Sequence, residues 1–461
     1  MNARTRTSVL RDPVHGDIHL SDEELRILDT REMQRLRGIK QLGTAYLAYP
    51  GAQHTRFEHS IGTLHMTGQM IDAINQNAEA EPRRCGPIGD AEARVIRIAS
   101  LIHDVTHVPF GHNIEDQSGL MERHDSPARY AGALARGTEL GALLDELGVR
   151  SDVLAVLTAE KSVVGGEEPR IPPYWYQVMS DTICSDILDY LKRDAYFTGL
   201  RLQTDERILH YFKVDRQSGN LYIDLQKREL LREDILSEIV RILEARYYFS
   251  ERVYFHHAKV AAGALLARAV ELSLAAGSVA DTDLYDQTDY SVVDLVRRRA
   301  TDLDPDLRKR VERLVDGFER RRLFKRACVF TRYDNEDVQA DLVARYFARG
   351  AGAARTEVES RISDLVRFAT GREVEILVYC PAARMQLKEV ATHVRWPGVE
   401  QPRPLAEFAE YVPRLADLEQ SYRRLWKFYV FADTREPEIL AKVQEVASGE
   451  FPGAVNAYRL K

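Results

Sequence analysis

Apolar side chains recur every three or four positions over most of residues 1–330, the spacing of one face of an α-helix. An apolar run near Leu221, after the turn-forming residues DRQSGN, predicts one short strand. Pro13 and Gly16 divide residues 1–20 into short apolar pieces, which predicts an extended or hairpin-like N-terminal segment. Ser21 stands directly before acidic residues, which predicts the start of a helix. The other predicted helices are FEHSIGTLHMTGQMIDAI, AEARVIRIASLIHD, DTICSDILDYLKRDAYF, LREDILSEIVRILEARYYF and HHAKVAAGALLARAVELSLA.

The pattern changes after about Cys328. EVEILVYC (Glu373 to Cys380) and KFYVFA (Lys427 to Ala432) are compact apolar runs of the kind found in buried strands. Each precedes a helix-like stretch, ARMQLKEVATHV in the first case and EPEILAKVQEVAS in the second. We therefore predict a mainly α protein with a helical core over residues 1–330 and a small C-terminal α/β appendage over residues 331–461.

Composition and charge narrow the class of protein. With 461 residues, 44% of them hydrophobic and 29% charged, the chain fits a globular protein of two or three domains. No run approaches the roughly 18 apolar residues of a membrane helix. The basic N-terminus lacks the apolar segment of a secretory signal, and four scattered cysteines form no CxxC pair, so we expect a cytoplasmic protein. The net charge of −7 does not indicate nucleic-acid binding, although it leaves such binding open.

The dipeptide His103–Asp104 ends the strongly apolar stretch ARVIRIASLIHD. Two polar groups at the end of a buried helix need partners, and a metal ion would satisfy both. On its own, the pair fits a hydrogen-bonded core histidine beside a capping aspartate at least as well. A second such pair, His124–Asp125, shows that the dipeptide alone is weak evidence.

A stripe of polar residues strengthens the case. Asp186, Tyr190 and Asp194 are spaced by four and share one face of a predicted helix. The alternative is an exposed face paired with Lys192 and Arg193.

Arg56 and His59, three positions apart, also share a helix face. An arginine beside a metal-facing histidine fits a phosphate ester as substrate, because the planar guanidinium matches phosphate oxygens. The alternative for Arg56 is an ion pair with Glu58 or with another acidic residue.

Histidines are concentrated in one part of the chain, since seven of the thirteen lie between His54 and His124. Histidine is the side chain best suited to proton transfer near neutral pH, so this density indicates a site. We interpret His54 and His65 as core residues. Two imidazoles and two carboxylates suit a divalent ion such as Mn, Mg, Fe, Co, Ni or Zn. The predicted ligands are His59, His103, Asp104 and Asp186.

These motifs resemble the HD-domain phosphohydrolases, and more narrowly the deoxynucleoside triphosphate triphosphohydrolases of the sterile-alpha-motif-and-HD-domain type with their bacterial dGTPase-like relatives. The resemblance runs from about Leu10 to Lys325 and is closest in DTREMQRLRGIKQLGTAYLAYPGAQHTRFEHSIG, Asp29 to Gly62. No sterile-alpha-motif domain is expected here. The fold implied is an all-α HD core.

The resemblance implies roles for particular residues. His112 matches the histidine that protonates the leaving 5′ oxygen, and the other catalytic positions are His107, His124 and Asp125. Residues matched to the triphosphate and sugar are Arg56, Gln41, Leu42, Tyr190, Asp194, Arg246 and Tyr254. Tyr254 matches a tyrosine that helps reject a ribose 2′-hydroxyl. The guanine-reading part of an activator-nucleotide site is matched by Asp29, Gln34 and Arg37.

The chain departs from the family pattern at several positions. Ile187 replaces a phosphate-binding lysine, and Phe255 replaces a base-contacting glutamine. Asp125 stands where a glutamate is usual. Ser8 and Arg11 replace a lysine and an asparagine of the activator site.

The resemblance implies hydrolysis of deoxynucleoside triphosphates to deoxynucleoside and inorganic triphosphate, with nucleotide activation and a homo-oligomer, dimer or tetramer. Two other readings stay open. One is an HD-type phosphodiesterase, nucleotidase or nuclease, and the other is a nucleotide-sensing protein without turnover.

Overall fold

Helices dominate the computed structural model, which describes residues 8–115, 121–164, 170–202, 204–348, 350–380 and 391–460. The α-helices of these residues are α1 Asp22–Leu28, α2 Arg31–Arg35, α3 Arg56–Ala80, α4 Asp90–Ile102, α5 His112–Glu115, α6 Pro127–Ala133, α7 Glu139–Glu146, α8 Arg150–Val164, α9 Pro173–Gln177, α10 Ser185–Thr198, α11 Glu233–Phe249, α12 His257–Ala275, α13 Asp289–Arg299, α14 Pro305–Glu319, α15 Glu336–Phe347, α16 Gly352–Thr370, α17 Pro413–Arg424 and α18 Pro437–Glu450. A π-helical turn, Ser250–Tyr254, continues α11.

The strands are short and form small sheets. They are β1 Ser8–Asp12, β2 Gly16–Leu20, β3 Cys85–Gly86, β4 Phe212–Asp215, β5 Leu221–Asp224, β6 Gln226–Lys227, β7 Leu230–Leu231, β8 Lys325–Thr331, β9 Ile376–Tyr379, β10 His393–Arg395, β11 Arg403–Pro404 and β12 Lys427–Ala432. The sheet orders are β1-β2, β11-β10-β5-β4-β3, β8-β12-β9 and β6-β7. The prediction of a mainly α fold with a small C-terminal α/β part is confirmed.

The long helix α3 lies at the centre of the N-terminal part, where α4 and α10 both pack against it. The approach of α10 depends on Gly62, because a Cβ at that position would lie 1.9 Å from Oδ1 of Asp189. The close packing brings the start of α3, the end of α4 and the start of α10 together. These three ends carry the predicted metal ligands.

Several local predictions are confirmed. The N-terminal segment forms an antiparallel hairpin in which Ser8 pairs with Leu20. Ser21 caps α1 and forms a capping box with Glu24. The strand predicted near Leu221 is β5, and EPEILAKVQEVAS forms α18. The helix predicted over DTICSDILDYLKRDAYF begins later than expected, at Ser185, because the preceding residues form turns and bends.

The C-terminal residues pack as an antiparallel sheet covered by helices. In this sheet β12 lies between β8 and β9, and the buried rings of Phe330, Phe428 and Phe451 lie 5.2 to 5.7 Å apart. Trp426, just before β12, is fully buried in the same hydrophobic cluster. Since β8 begins at Lys325, its sheet joins residues from both sides of position 331. The division at that position stays a prediction.

The helix predicted over ARMQLKEVATHV falls mostly on residues 381–390, which lie outside the described residues. Its last part is wrong, because His393–Arg395 forms β10 and pairs in parallel with Tyr222–Asp224 of β5. Tertiary pairing overrides the helical period there. Among the described residues, no helix is long and apolar enough to cross a membrane.

Candidate metal centre and active site

Four predicted ligands converge where α3, α4 and α10 meet. The Nε2 atom of His59 lies 2.9 Å from Oδ1 of Asp186 and 3.8 Å from Oδ2 of Asp104. The Nε2 atom of His103 lies 3.5 Å from Oδ1 of Asp104 and 3.8 Å from Oδ1 of Asp186. His59, His103 and Asp104 are buried, whereas the Asp186 side chain is 36% exposed, so the centre opens on the Asp186 side.

Contacts behind the two histidines orient their rings. Nδ1 of His59 lies 2.7 Å from Oδ2 of Asp189, and Nδ1 of His103 lies 2.8 Å from the carbonyl oxygen of Ser100. Such contacts fix the ring so that the other nitrogen, Nε2, faces the centre. Nε2 of His103 is buried without a hydrogen-bond partner. An unpaired buried nitrogen among two carboxylates and a second imidazole fits a divalent ion.

Electrostatics keep the carboxylates ionised. Burial alone would raise the pKa of Asp104, but the charge of Arg56, whose Nη1 donates to Oδ2 at 2.6 Å, and the nearby histidines hold it well below its ordinary value. Burial likewise opposes ionisation of Asp186, yet its hydrogen bond with His59 lowers its pKa. Burial disfavours a charged His59, but Asp186 and Asp189 raise its pKa to about 10. A proton and a divalent ion would therefore compete for this imidazole.

A second histidine cluster adjoins the four ligands. His107 and His124 stack with ring centroids 3.5 Å apart, and His112 meets both rings edge-on at 5.3 and 5.2 Å. His107 Nε2 lies 3.2 Å from Oδ1 of Asp104, which connects the cluster to the metal centre. His112 is exposed, whereas burial and the neighbouring His107 lower the pKa of His124 to about 3. His124 is therefore neutral near pH 7.

Glu115 connects these histidines. Its Oε1 lies 3.0 Å from Nδ1 of His107, and its Oε2 lies 2.7 Å from Nδ1 of His124. Burial would raise the pKa of Glu115, but the two histidines keep it well below its ordinary value. Asp125, predicted as the carboxylate of this group, forms an ion pair with Arg123 at 3.2 Å. Among the contacts of the described residues, Glu115 is the carboxylate that bonds to both imidazoles.

The backbone before His112 has an uncommon conformation. Phe110 and Gly111 both have positive φ, 57° and 47°. A Cβ at Gly111 would lie 2.7 Å from Nη2 of Arg56, so both the turn and the contact favour glycine. Asp289 of α13 accepts the backbone N–H of Phe110 at 2.8 Å. Residues far along the chain therefore hold the turn that presents His112.

Residues predicted to bind substrate lie beside the Asp186 opening. Tyr254 donates to Oδ2 of Asp194 at 2.7 Å, and His54 Nε2 lies 2.9 Å from the other oxygen of this buried carboxylate. The ring of Tyr190 lies 6.4 Å from that of His59. Within the described part of the chain, no hydrogen bond or ion pair engages the guanidinium of Arg246. A cation without an acidic partner is suited to an anionic ligand.

Gln41 and Leu42 lie on the loop between α2 and α3. Leu42 is buried, and the side-chain oxygen Oε1 of Gln41 is buried without a hydrogen-bond partner. Among the described residues, no protein group therefore donates a hydrogen bond to the Oε1 atom of Gln41.

The residues assigned to an activator site lie near α2. Arg37 donates from Nε to Oε1 of Gln34 at 2.9 Å and covers the ring of Phe57 at 3.6 Å, while Asp29 is exposed. Gln34 also lines a cavity of about 810 Å³. The cavity wall includes Arg35, which donates to the carbonyl oxygens of Val105 and His107.

Sequence reasoning missed residues that support the site. The position of Asp189 could have been predicted from helical spacing, since it lies three positions after Asp186 and one turn before Arg193. Asp189 forms an ion pair with Arg193 at 2.9 Å. His54 is buried, as expected of a core histidine, and it also contacts Asp194. No sequence signal marks Glu115 or Asp289, because their partners are brought near only by the fold.

Comparison with known protein families decides the assignment. The HD domain matches residues 56–156, and the HD associated region matches residues 206–450, more than half of the chain. The chain belongs to the HD-domain family that carries this associated region. The HD domain is a metal-dependent phosphohydrolase fold, and the His/Asp cluster of this chain could hold the metal ion.

Curated relatives extend the likeness along the chain. An uncharacterized protein of Methanocaldococcus jannaschii is 26% identical over 426 residues, 92% of this chain and 79% of the relative. The deoxynucleoside triphosphate triphosphohydrolase SAMHD1 homolog of Dictyostelium discoideum is 28% identical over 339 residues, 70% of this chain and 60% of the relative. A Bacillus subtilis protein, YwfO, is 31% identical over 256 residues, 54% of this chain. The chain spans less than two thirds of the second relative and 52% of the third.

A solved structure shows the same fold. The crystal structure of a hypothetical protein from Aquifex aeolicus covers 96% of this chain with a TM-score of 0.64 and 21% identity, and all of that chain is matched. At this identity the likeness concerns the fold alone.

Proposed function

We propose that this HD-domain protein hydrolyses deoxynucleoside triphosphates to deoxynucleoside and inorganic triphosphate. The observation that carries the proposal is the four-ligand centre. Its Asp186 lies close enough to Arg246 to raise the pKa of that guanidinium, and its Asp104 contacts His107 of the cluster that also contains His112 and His124. Relatives named as deoxynucleoside triphosphate triphosphohydrolases support the substrate class.

The proposed ion would be held by His59, His103, Asp104 and Asp186. When bound, it would supply a Lewis acid that polarises a phosphoryl oxygen.

In the proposed reaction, water attacks the α-phosphorus and the bond from phosphorus to the 5′ oxygen breaks. His112 gives a proton to that leaving oxygen, so that the products are a neutral deoxynucleoside and triphosphate. His112 suits this role because it is the exposed member of its cluster, whereas His124 is held neutral by its surroundings. Glu115 and His107 position the cluster behind it.

Two arginines suit the phosphates. Arg246 has no acidic partner among the described residues, and the Nε atom of Arg56 is buried without one. Preorganised positive charge at the phosphates stabilises the charge that develops during the reaction. At the sugar end, Asp194 and Tyr254 form one hydrogen-bonded pair, and Gln41 and Leu42 complete the proposed contacts.

Further parts of the proposal rest on the family resemblance of the sequence. Asp29, Gln34 and Arg37 form a guanine-nucleotide activator site, and the protein works as a homo-oligomer, a dimer or a tetramer. A cytoplasmic location is consistent with four buried cysteines, none of which forms a disulfide bond among the described residues.

A product assay with matched variants tests the proposal. Purified protein is incubated with each deoxynucleoside triphosphate, singly and mixed, with Mn or Mg, and products are separated by ion-exchange chromatography. Asp186→Ala is expected to lose metal, and His112→Ala to keep metal and lose turnover. Release of monophosphate and pyrophosphate, or turnover of cyclic nucleotides or oligonucleotides alone, would favour another HD-type phosphoesterase.

A further inference from the structure

His54 contacts two separate parts of the proposed sugar end of the site, one through its backbone and one through its ring. It lies on the loop before α3, where one antiparallel bridge joins residues 39–41 to residues 54–56. Within this pairing the backbone N–H of Gln41 donates to the carbonyl oxygen of His54 at 3.0 Å. The segment that carries Gln41 is therefore held directly to the backbone of His54.

The ring of His54 contacts Asp194 of α10. Nε2 of the histidine lies 2.9 Å from Oδ1 of Asp194, and the two side chains are 0% and 2% exposed, so water does not compete for this contact. A carboxylate only accepts hydrogen bonds, so Nε2 is the donor. Tyr254 donates to the other oxygen, Oδ2, at 2.7 Å. His54 and Tyr254 thus bind the two oxygens of one buried carboxylate.

Packing fixes the His54 ring in its turn. The ring lies nearly parallel to that of Phe197, with centroids 4.6 Å apart and 20° between the planes. The loop lies close to α10, since a Cβ at Gly51 would lie 2.6 Å from the carbonyl oxygen of Phe197. Nδ1 of His54 is buried without a hydrogen-bond partner among the described residues. The side-chain hydrogen bond of this histidine in that part of the chain is therefore the one to Asp194.

These contacts determine how the Asp194 carboxylate is oriented. The last torsion of an aspartate side chain has only a broad, two-fold preference, so hydrogen bonds decide where its oxygens point. With one donor on each oxygen, the carboxylate cannot turn without breaking a bond, and it holds the hydroxyl of Tyr254 in place. Without the His54 donor, the carboxylate can rotate and the tyrosine can follow it. Displacements of about 1 Å in a binding site are costly to catalysis.

We propose that His54 is a positioning residue for the sugar end of the site. Its ring holds Asp194 and, through it, Tyr254, and its carbonyl oxygen holds the segment of Gln41. His54 itself contacts no substrate atom. The inference rests on the proposed function and deepens it, because it makes the preference for deoxyribose over ribose depend on a residue behind the binding surface.

The test compares His54→Gln with His54→Asn in the full-length, metal-loaded protein. Both variants place an amide at the buried position, but only the longer glutamine carries an N–H donor about as far as Nε2 of the histidine. The readout is the ratio of kcat/KM for a deoxynucleoside triphosphate to kcat/KM for the matching ribonucleoside triphosphate. His54→Asn should lower this ratio about 10-fold, as expected for loss of a hydrogen bond to a charged group, and His54→Gln should stay within about 3-fold of wild type.

Two further variants separate the hydrogen bond from packing. Phe197→Leu removes the stacked ring and leaves the contact between His54 and Asp194, so its ratio should stay near the wild-type value. In the double variant of His54→Asn and Tyr254→Phe, both changes act through Asp194. Changes that share a partner are not additive, so the double variant should match the more affected single variant.

Several results would overturn the inference. They are an unchanged ratio in His54→Asn, an equal loss in His54→Gln or Phe197→Leu, and a double variant whose effect is the product of the two single effects. Failure of both His54 variants to fold would assign the residue to the core alone. A wild-type protein that hydrolyses both nucleotides equally well would overturn the positioning role and leave the reaction standing.

Failure of the proposed function has a different signature. If the wild-type protein hydrolyses neither nucleotide, the Kd of each, measured by calorimetry on the metal-loaded protein, replaces kcat/KM in the ratio. A Kd ratio that falls in His54→Asn and not in His54→Gln would retain the positioning role and reject the reaction. A wild-type protein that binds neither nucleotide would reject both.

Discussion

Oδ2 of Asp189 lies 2.7 Å from Nδ1 of His59, and both groups are fully buried. The carboxylate also pairs with Arg193, which in turn binds Asp12 at 2.8 Å. This chain of buried charges holds the His59 ring with Nε2 towards Asp186. The metal centre therefore depends on a residue that is not itself one of the predicted ligands.

Asp189→Asn should weaken metal binding by about 10- to 100-fold, the usual cost of removing a partner behind a metal-binding histidine. The measurement is a titration of the metal-free protein with Mn. Asp12→Asn is the matched control, because it disturbs the same Arg193 without touching His59. Equal metal affinity in both variants would show that Asp189 only stabilises Arg193.

Glu115→Gln should lower kcat about 10- to 100-fold while metal content stays at the wild-type level. The amide cannot serve both His107 and His124, so the cluster loses its fixed geometry. Metal analysis and steady-state kinetics on the same preparation check this. Glu146→Gln, an exposed change, serves as the control. Loss of metal in Glu115→Gln would place Glu115 in the metal centre instead.

Tyr254→Phe should reduce the preference for deoxynucleotides over ribonucleotides by about 10-fold, because the ring loses the hydrogen bond that fixes it to Asp194. A hydrogen bond to a charged group is worth roughly 1.5 kcal/mol or more. The readout is the ratio of kcat/KM for paired deoxy- and ribonucleoside triphosphates. An unchanged ratio would remove Tyr254 from sugar selection.

Asp289 makes stability depend on pH. Burial raises its pKa to about 6, although the backbone N–H groups of Lys40 and Phe110 bind its oxygens. A carboxyl group whose pKa is higher in the folded than in the unfolded state stabilises the fold at pH values below its unfolded pKa. For Asp289 this stabilisation is lost as the pH rises through about 6. The contribution is about 3 kcal/mol at most, since a tenfold change in proton affinity is worth about 1.4 kcal/mol.

Asp289→Asn removes this titration. The free energy of unfolding of the variant, relative to wild type, should therefore rise between about pH 4 and pH 6.5. Urea unfolding at several pH values measures the difference. A difference that does not change with pH would contradict the assigned pKa.

The four ligands could be predicted from the sequence, because motifs that mark helix ends and helix faces contain them: His59, His103, Asp104 and Asp186. In the fold these side chains do come together, and their role as ligands stays a prediction. Asp189 could have been found from its helical spacing, but its partner lies 130 positions away. Glu115 and Asp289 have no such signal, because only tertiary packing brings their partners close.

The C-terminal part shows the same limit. The strands at Ile376–Tyr379 and Lys427–Ala432 follow from apolar runs, whereas β10 follows from pairing with Tyr222–Asp224 and contradicts its local helical period. Packing of α17 on α11 is likewise a long-range contact. Local pattern predicts elements, and contacts distant in sequence decide which of them meet.

The most direct test of the central claim is the fate of oxygen from water labelled with ¹⁸O during turnover of a deoxynucleoside triphosphate, read by mass spectrometry of the products. Attack at the α-phosphorus with loss of the 5′ oxygen predicts one ¹⁸O in intact inorganic triphosphate and none in the deoxynucleoside. Label in a deoxynucleoside, or release of monophosphate, pyrophosphate or orthophosphate in place of triphosphate, would contradict the account.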